Sequence, residues 1–187
     1  MNQERLNKVQ GYLSDLSIDV KDKRYSMNFC KKNEYIQSIM QQAIQETQTH
    51  MSFGYGNVNS NICFVVNDET MFNDIKPLVQ EVLDKFDINF WDIYVTFIYK
   101  TSKVYNRCIN LLMNEINAVS PKIIYVFDKD EKALNALLNE FTKYGVTPPK
   151  YYYVNIDKLS EKTVEVKREL WKMFRYLINY KEITVKK

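Results

Sequence analysis

The spacing of apolar positions changes at residue 61 and divides the chain into two kinds of element. Before it, Leu6, Val9, Leu13 and Leu16 recur at three- and four-residue intervals, which predicts an amphipathic helix over 3–16. Tyr35, Ile36, Ile39, Met40, Ala43 and Ile44 repeat the pattern and predict a second helix over 33–46. The charged stretch Asp19 to Arg24 between them reads as a loop. After it come short runs rich in β-branched and aromatic residues: Ile62–Val66, Ile93–Tyr99, Lys122–Phe127 and Tyr151–Val154. A helical apolar stripe follows each: Ile75 to Phe86, Cys108 to Val119, Ala133 to Phe141 and Val166 to Leu177. Strand–helix alternation predicts an α/β fold, a three-layer αβα sandwich around a central four-stranded parallel sheet, with N-terminal helices added. Ser120-Pro121 and Pro148-Pro149 punctuate the entries to the last two strands.

In such sheets ligands bind beyond the carboxyl ends of the strands. Four segments therefore share one face: 67–72, 100–105, 128–131 and 155–160. The first is the most informative, because the apolar strand Ile62–Val66 runs straight into Asn67, Asp68, Glu69 and Thr70. Ahead of that strand lies a polar loop with Gly54 and Gly56, two of only four glycines in the chain. Glycine this scarce marks unusual dihedrals or close backbone approach.

Composition narrows the function classes. With 187 residues, 45% hydrophobic, the chain is long enough for a full core. No repeat or linker interrupts it, so we expect one domain over 1–187: a helical arm (1–48), an α/β core (49–180) and a basic tail (181–187). No apolar run approaches the roughly 18 residues of a membrane helix, and the polar N-terminus carries no signal core; the expected location is the cytoplasm. Cys30, Cys63 and Cys108 are far apart and form no Cys-x-x-Cys pair, which argues against a disulfide framework or a metal site. Cys63 and Cys108 read as core residues, Cys30 has no assignment, and the sole histidine, His50, lies before the core. A net charge of +3 permits nucleic-acid binding without demanding it.

Several segments, in order, resemble the uracil-DNA glycosylase superfamily, most closely its bacterial and archaeal iron–sulfur branch. They are Gly54-Tyr-Gly-Asn57, Ile62-Cys-Phe-Val-Val66, Val95-Thr-Phe-Ile-Tyr-Lys100, Asn114-Glu-Ile116 and Ser120-Pro-Lys-Ile-Ile124. The match spans roughly 52–180 and implies that family's fold. The family's water-positioning turn is replaced by Val66-Asn67-Asp68-Glu69. Phe97 stands where an asparagine reads the uracil edge, and Val154-Asn155-Ile156-Asp157 where a His-Pro pair steadies the leaving base. Of the four cluster cysteines only Cys108 has a counterpart, and one thiolate cannot hold a cluster. The resemblance therefore implies the fold without the chemistry, and no cofactor or metal.

Candidate residues follow. Asp68 reads either as a water-activating general base, as in another branch of the family, or as a helix N-cap. Asn67 reads as a relic of the site or a turn former. Lys100, Lys103 and Arg107, with Tyr99 and Tyr105 interleaved, read as a DNA contact strip or as a solvated helix start. Tyr55, Gly56, Asn57 and Lys158 complete the DNA-binding set. Tyr151 to Tyr153 read as packing on a strand. The expected function is a catalytically inactive DNA-replication accessory of phage or mobile-element type, binding DNA, a DNA polymerase or primase, or both. The alternatives are a divergent base-excision glycosylase using Asp68 or Asn67, and a protein-binding scaffold that never touches nucleic acid.

Overall fold

The computed structural model describes residues 23–47, 52–100 and 105–180. The helix expected over 3–16, the basic tail 181–187, His50 and Lys103 lie outside the described residues. In chain order the elements are α1 (Lys23–Thr47), β1 (Tyr55–Gly56), β2 (Ile62–Val66), α2 (Glu69–Asp84) and β3 (Tyr94–Phe97). There follow α3 (Tyr105–Val119), β4 (Ile123–Asp128), α4 (Lys132–Lys143) and β5 (Lys150–Asn155). A short α5 (Ile156–Ser160), α6 (Val164–Phe174) and a 3-10 turn (Arg175–Asn179) complete the elements of the described residues.

The sheet has five strands in the order β1-β3-β2-β4-β5 and is mixed. β3, β2, β4 and β5 pair in parallel, whereas β1 runs antiparallel to β3 (Tyr55 opposite Val95, Gly56 opposite Tyr94). The fifth strand corrects the expected four-stranded parallel sheet. The glycine loop missed as a strand is only two residues long and has no apolar alternation. A second correction concerns α1, which begins at Lys23, inside the segment read as a loop. Lys, Arg and Met are good helix formers, so polarity alone did not mark a break there.

Helices cover both faces. Ile62, Phe64 and Val66 of β2 point toward α2 and α6, in a core with Phe72, Val79, Leu83, Leu170 and Phe174. Cys63 and Val65 point the other way, toward Ile36 of α1, Leu112 and Ile116 of α3, and Leu137 of α4. β2 and β4 are buried at every position, which is why both read as continuous apolar runs rather than as an alternation.

Connectivity fixes where a ligand can enter. From central β2 the chain passes through α2 to β3 on one side. It then crosses back through α3 to β4 on the other side and continues through α4 to β5. α2 and α4, which follow the adjacent strands β2 and β4, lie on opposite faces of the sheet. The crevice between the carboxyl ends of β2 and β4 is therefore the point where the winding reverses, the ligand position of open α/β sheets.

Candidate ligand cleft and the fate of the predicted residues

An open cleft of about 620 Å³ occupies that position. Asn67 lines it from the end of β2, Asp128 from the end of β4, Tyr99 from beyond β3, and Lys132 and Asn135 from the start of α4. Ladder hydrogen bonds continue past the strand ends and hold this rim: Asn67 N–H donates to Phe127 O (3.0 Å) and Tyr99 N–H to Asn67 O (2.8 Å). The Asn67 side-chain oxygen is buried without a hydrogen-bond partner, while its Nδ2 contacts Met71 Sδ at 3.1 Å. An unmet buried acceptor is unfavourable, and here it sits at the edge of a cleft. Tyr99 is 42% exposed and offers a ring at the mouth.

Asp128 is only 7% exposed. Burial pushes its carboxyl above the usual carboxylate range, although backbone N–H groups of Lys129 and Ala133 oppose the shift. Lys129 N–H donates to its Oδ1 at 2.8 Å. Exposed Asp130 and Lys132 pair at 2.8 Å, which lowers the first pKa and raises the second.

Asp68 is the N-cap of α2: Met71 N–H donates to its Oδ1 at 2.8 Å. Of the two readings open from sequence, the cap is the one the geometry displays, and Asp68 does not line the cleft. Asn155 caps α5 by accepting from Lys158 N–H at 3.1 Å. Its amide also donates to Lys129 O at 3.1 Å, tying β5 to the β4 rim. Phe97 is 1% exposed and packs against Phe72 and Tyr55.

Among the described residues, the members of the predicted DNA-contact set are not brought together. Lys100 is corrected outright: it is 2% exposed and ion-paired with buried Glu115. Glu115 Oε2 also accepts from Thr96 Oγ1 at 2.6 Å, and Thr96 Oγ1 lies 3.0 Å from Lys100 Nζ. Glu115 Oε1 accepts from Gly54 N–H at 2.8 Å and from Tyr94 OH at 3.1 Å. The ammonium lies 5.2 Å from the Phe53 ring centre. A lysine spent on this network cannot reach a phosphate. Glu115 was missed because it sits in the apolar stripe of α3 beside Leu112 and Ile116, where one charge looks like an interruption. A lone carboxylate on a core-facing stripe was the available signal.

Tyr55, Gly56 and Asn57 also have structural duties. Tyr55 packs 6.3 Å from Phe72, and burial together with Glu69 pushes its phenol up to about 12. Gly56 has φ +101°, and a Cβ there would lie 2.2 Å from Ile93 O. Asn57 makes a turn, its Oδ1 accepting from Asn59 N–H at 2.9 Å. Arg107 is placed in the first turn of α3. Lys158 is exposed on α5, beyond the β5 edge. β1 and β5 are the two edges of the sheet, separated by four strand spacings or about 19 Å, so Tyr55 and Lys158 do not form one patch.

Among the described residues, no helix is long and apolar enough to cross a membrane, and no group of three or more His, Cys, Asp or Glu side chains is placed to hold a metal ion. Comparison with protein-family models and with curated proteins finds no match.

Proposed function

We propose that the chain is a catalytically silent uracil-DNA glycosylase-like protein that binds DNA as an accessory to a replication polymerase or primase. The observation that carries this reading is the cleft at the winding reversal. Its volume, about 620 Å³, falls within the ~300–1,000 Å³ range of small-molecule sites. Polar side chains at its rim and the Tyr99 ring suit an unpaired nucleotide. How the polar groups are used supports binding over excision. Asp68 is engaged as a helix cap, Phe97 belongs to the core, and the Asn155 amide is bonded to the β4 rim. An accessory of this kind acts by tethering, which raises the effective concentration of template near the polymerase.

The test is fluorescence anisotropy of labelled single- and double-stranded oligonucleotides, combined with an assay for abasic sites. Ala136 of α4 also lines the cleft; we expect binding that Ala136→Trp, which fills the cleft, weakens, and no abasic sites. Absence of binding to either form at low salt would sink the reading.

One observation favours an enzyme as a second reading. Asp128 is a buried carboxyl with a raised pKa at a cleft, the pattern of a general acid or base. Asp128 would then take the role that sequence assigned to Asp68 or Asn67. Abasic sites formed in uracil- or hypoxanthine-containing oligonucleotides, and lost in Asp128→Asn, would establish excision.

A further inference from the structure

At the other end of the sheet, three tyrosine rings form a ladder from the core to the surface. Tyr125, fully buried, stacks on Tyr152 at 5.1 Å and 19°. Tyr152 stacks on Tyr176 at 5.9 Å and 9°. Tyr125 OH donates to Met173 O at 2.8 Å, fixing the inner ring. Two cations from separate elements converge on the outermost ring. Lys150 Nζ, from the first residue of β5, lies 5.0 Å from the Tyr176 ring centre. The Arg175 guanidinium, from the 3-10 turn, lies 4.9 Å from it and donates to Tyr176 OH at 2.8 Å.

Lys122 is exposed beside them, its carbonyl accepting from Lys150 N–H at 3.1 Å. Among the described residues, no carboxylate lies within ion-pair distance of these three cations. The positive field is felt by Tyr176 itself, whose phenol Arg175 holds below its ordinary pKa.

We infer that Lys150 and Arg175, organised on the Tyr176 ring, together with exposed Lys122 at the start of the neighbouring strand, form a contact for the phosphodiester backbone of a nucleic-acid strand, separate from the cleft. Three cations without an ion-pair partner among the described residues complement a line of phosphates. The ladder holds two of them in place before binding, which reduces the ordering entropy lost on association. Cation–π contacts leave ammonium and guanidinium protons free to donate outward. The length of β5 separates this platform from the cleft rim, about 17 Å at ~3.3 Å per residue. A strand engaging both would run along the β5 edge. The inference rests on the nucleic-acid reading above.

The experiment measures affinity for a fluorescein-labelled oligothymidine of about 20 nucleotides across a salt series. Wild type is compared with Lys150→Ala/Arg175→Ala, the conservative Lys150→Arg/Arg175→Lys, and Ala136→Trp. Loss of two phosphate contacts should flatten the slope of log K against log salt by about 1.4, at ~0.7 per contact on single strands. Between 50 and 200 mM salt the double alanine variant should therefore lose about sevenfold less affinity than wild type. The conservative variant and Ala136→Trp should keep the wild-type slope. An unchanged slope in the alanine variant, with wild type binding normally, overturns this inference alone. Wild type that binds no oligonucleotide removes the proposed function itself. A polyglutamate chain that binds wild type as tightly as the oligonucleotide, and is lost in the alanine variant, also overturns the inference by assigning the platform to acidic protein.

Discussion

Removing one member of the Lys100–Glu115 pair should be among the most damaging single changes in this protein. Both side chains are fully buried, so solvent does not screen what is left behind. Glu115→Gln keeps the shape and an acceptor for Gly54 N–H and Tyr94 OH, but strands the Lys100 ammonium in the core. Lys100→Met strands the carboxylate, softened by the three donors Thr96, Tyr94 and Gly54 N–H. Breaking a buried pair from one side costs about 3–5 kcal/mol. With a urea m-value of about 2 kcal/mol/M, each single variant should lower the unfolding midpoint by about 1.5–2.5 M. The double variant Lys100→Met/Glu115→Gln removes both charges and should be far less destabilised than the sum of the singles, with a coupling energy of about 3 kcal/mol. The assay is urea unfolding of all four proteins followed by tryptophan fluorescence and circular dichroism. Additivity within about 0.5 kcal/mol would refute the reasoning, because the two charges would then not depend on one another. Any midpoint change in Lys100→Met that tracks ionic strength as a surface charge does would refute it as well.

Three further outcomes follow from local geometry. Asp68→Ala should lower stability by about 1 kcal/mol through loss of the α2 cap, and Asp68→Asn should recover most of it in the same unfolding assay. Gly56→Ala should destabilise by more than about 1 kcal/mol, because the left-handed φ and the Ile93 carbonyl both exclude a Cβ; a neutral result in thermal melts would contradict the β1 geometry. Asp128 has a folded-state pKa above its unfolded value. Between the two values the folded protein binds more protons, so its contribution is fully present below the unfolded pKa and is lost as pH rises through the folded one. Asp128→Asn should abolish that decline, and thermal midpoints that fall equally in both proteins would assign it elsewhere.

Strand existence was legible in the sequence wherever burial was two-sided. Ile62–Val66 is a continuous apolar run because helices cover both faces, and its predicted and observed limits coincide. The run Ile93–Tyr99 is longer than β3 itself, Tyr94–Phe97, because buried Ile93 and Ile98 extend the apolar pattern past the strand, and at its end Ile98 and Tyr99 N–H still donate to Val66 O and Asn67 O. β1 was illegible because two residues carry no periodicity; its identity depends on Val95 and Tyr94, distant in sequence. The site residues divide in the same way. The position of the cleft followed from alternation and the strand-end rule, and Asn67 lies in it. The role of Lys100 did not follow, because its partner Glu115 comes from another helix and only packing unites them. Asp128 sat at the edge of a named loop, but its burial depends on α4 covering it, which local spacing does not encode. The basic cluster at Lys150 and Arg175 escaped notice for the same reason: a strand start and a 3-10 turn meet only in three dimensions.

The placement of β2 at the centre of the sheet also sets an order of events during folding. Its two neighbours are β3, which begins at Tyr94, and β4, which begins at Ile123, so neither edge of β2 can be satisfied by residues close to it in the chain. During synthesis this all-apolar segment leaves the ribosome long before the strand that shields its second edge. Loop closure over such separations makes parallel pairing slow, and the interval leaves Ile62–Val66 available to chaperones and to other nascent chains.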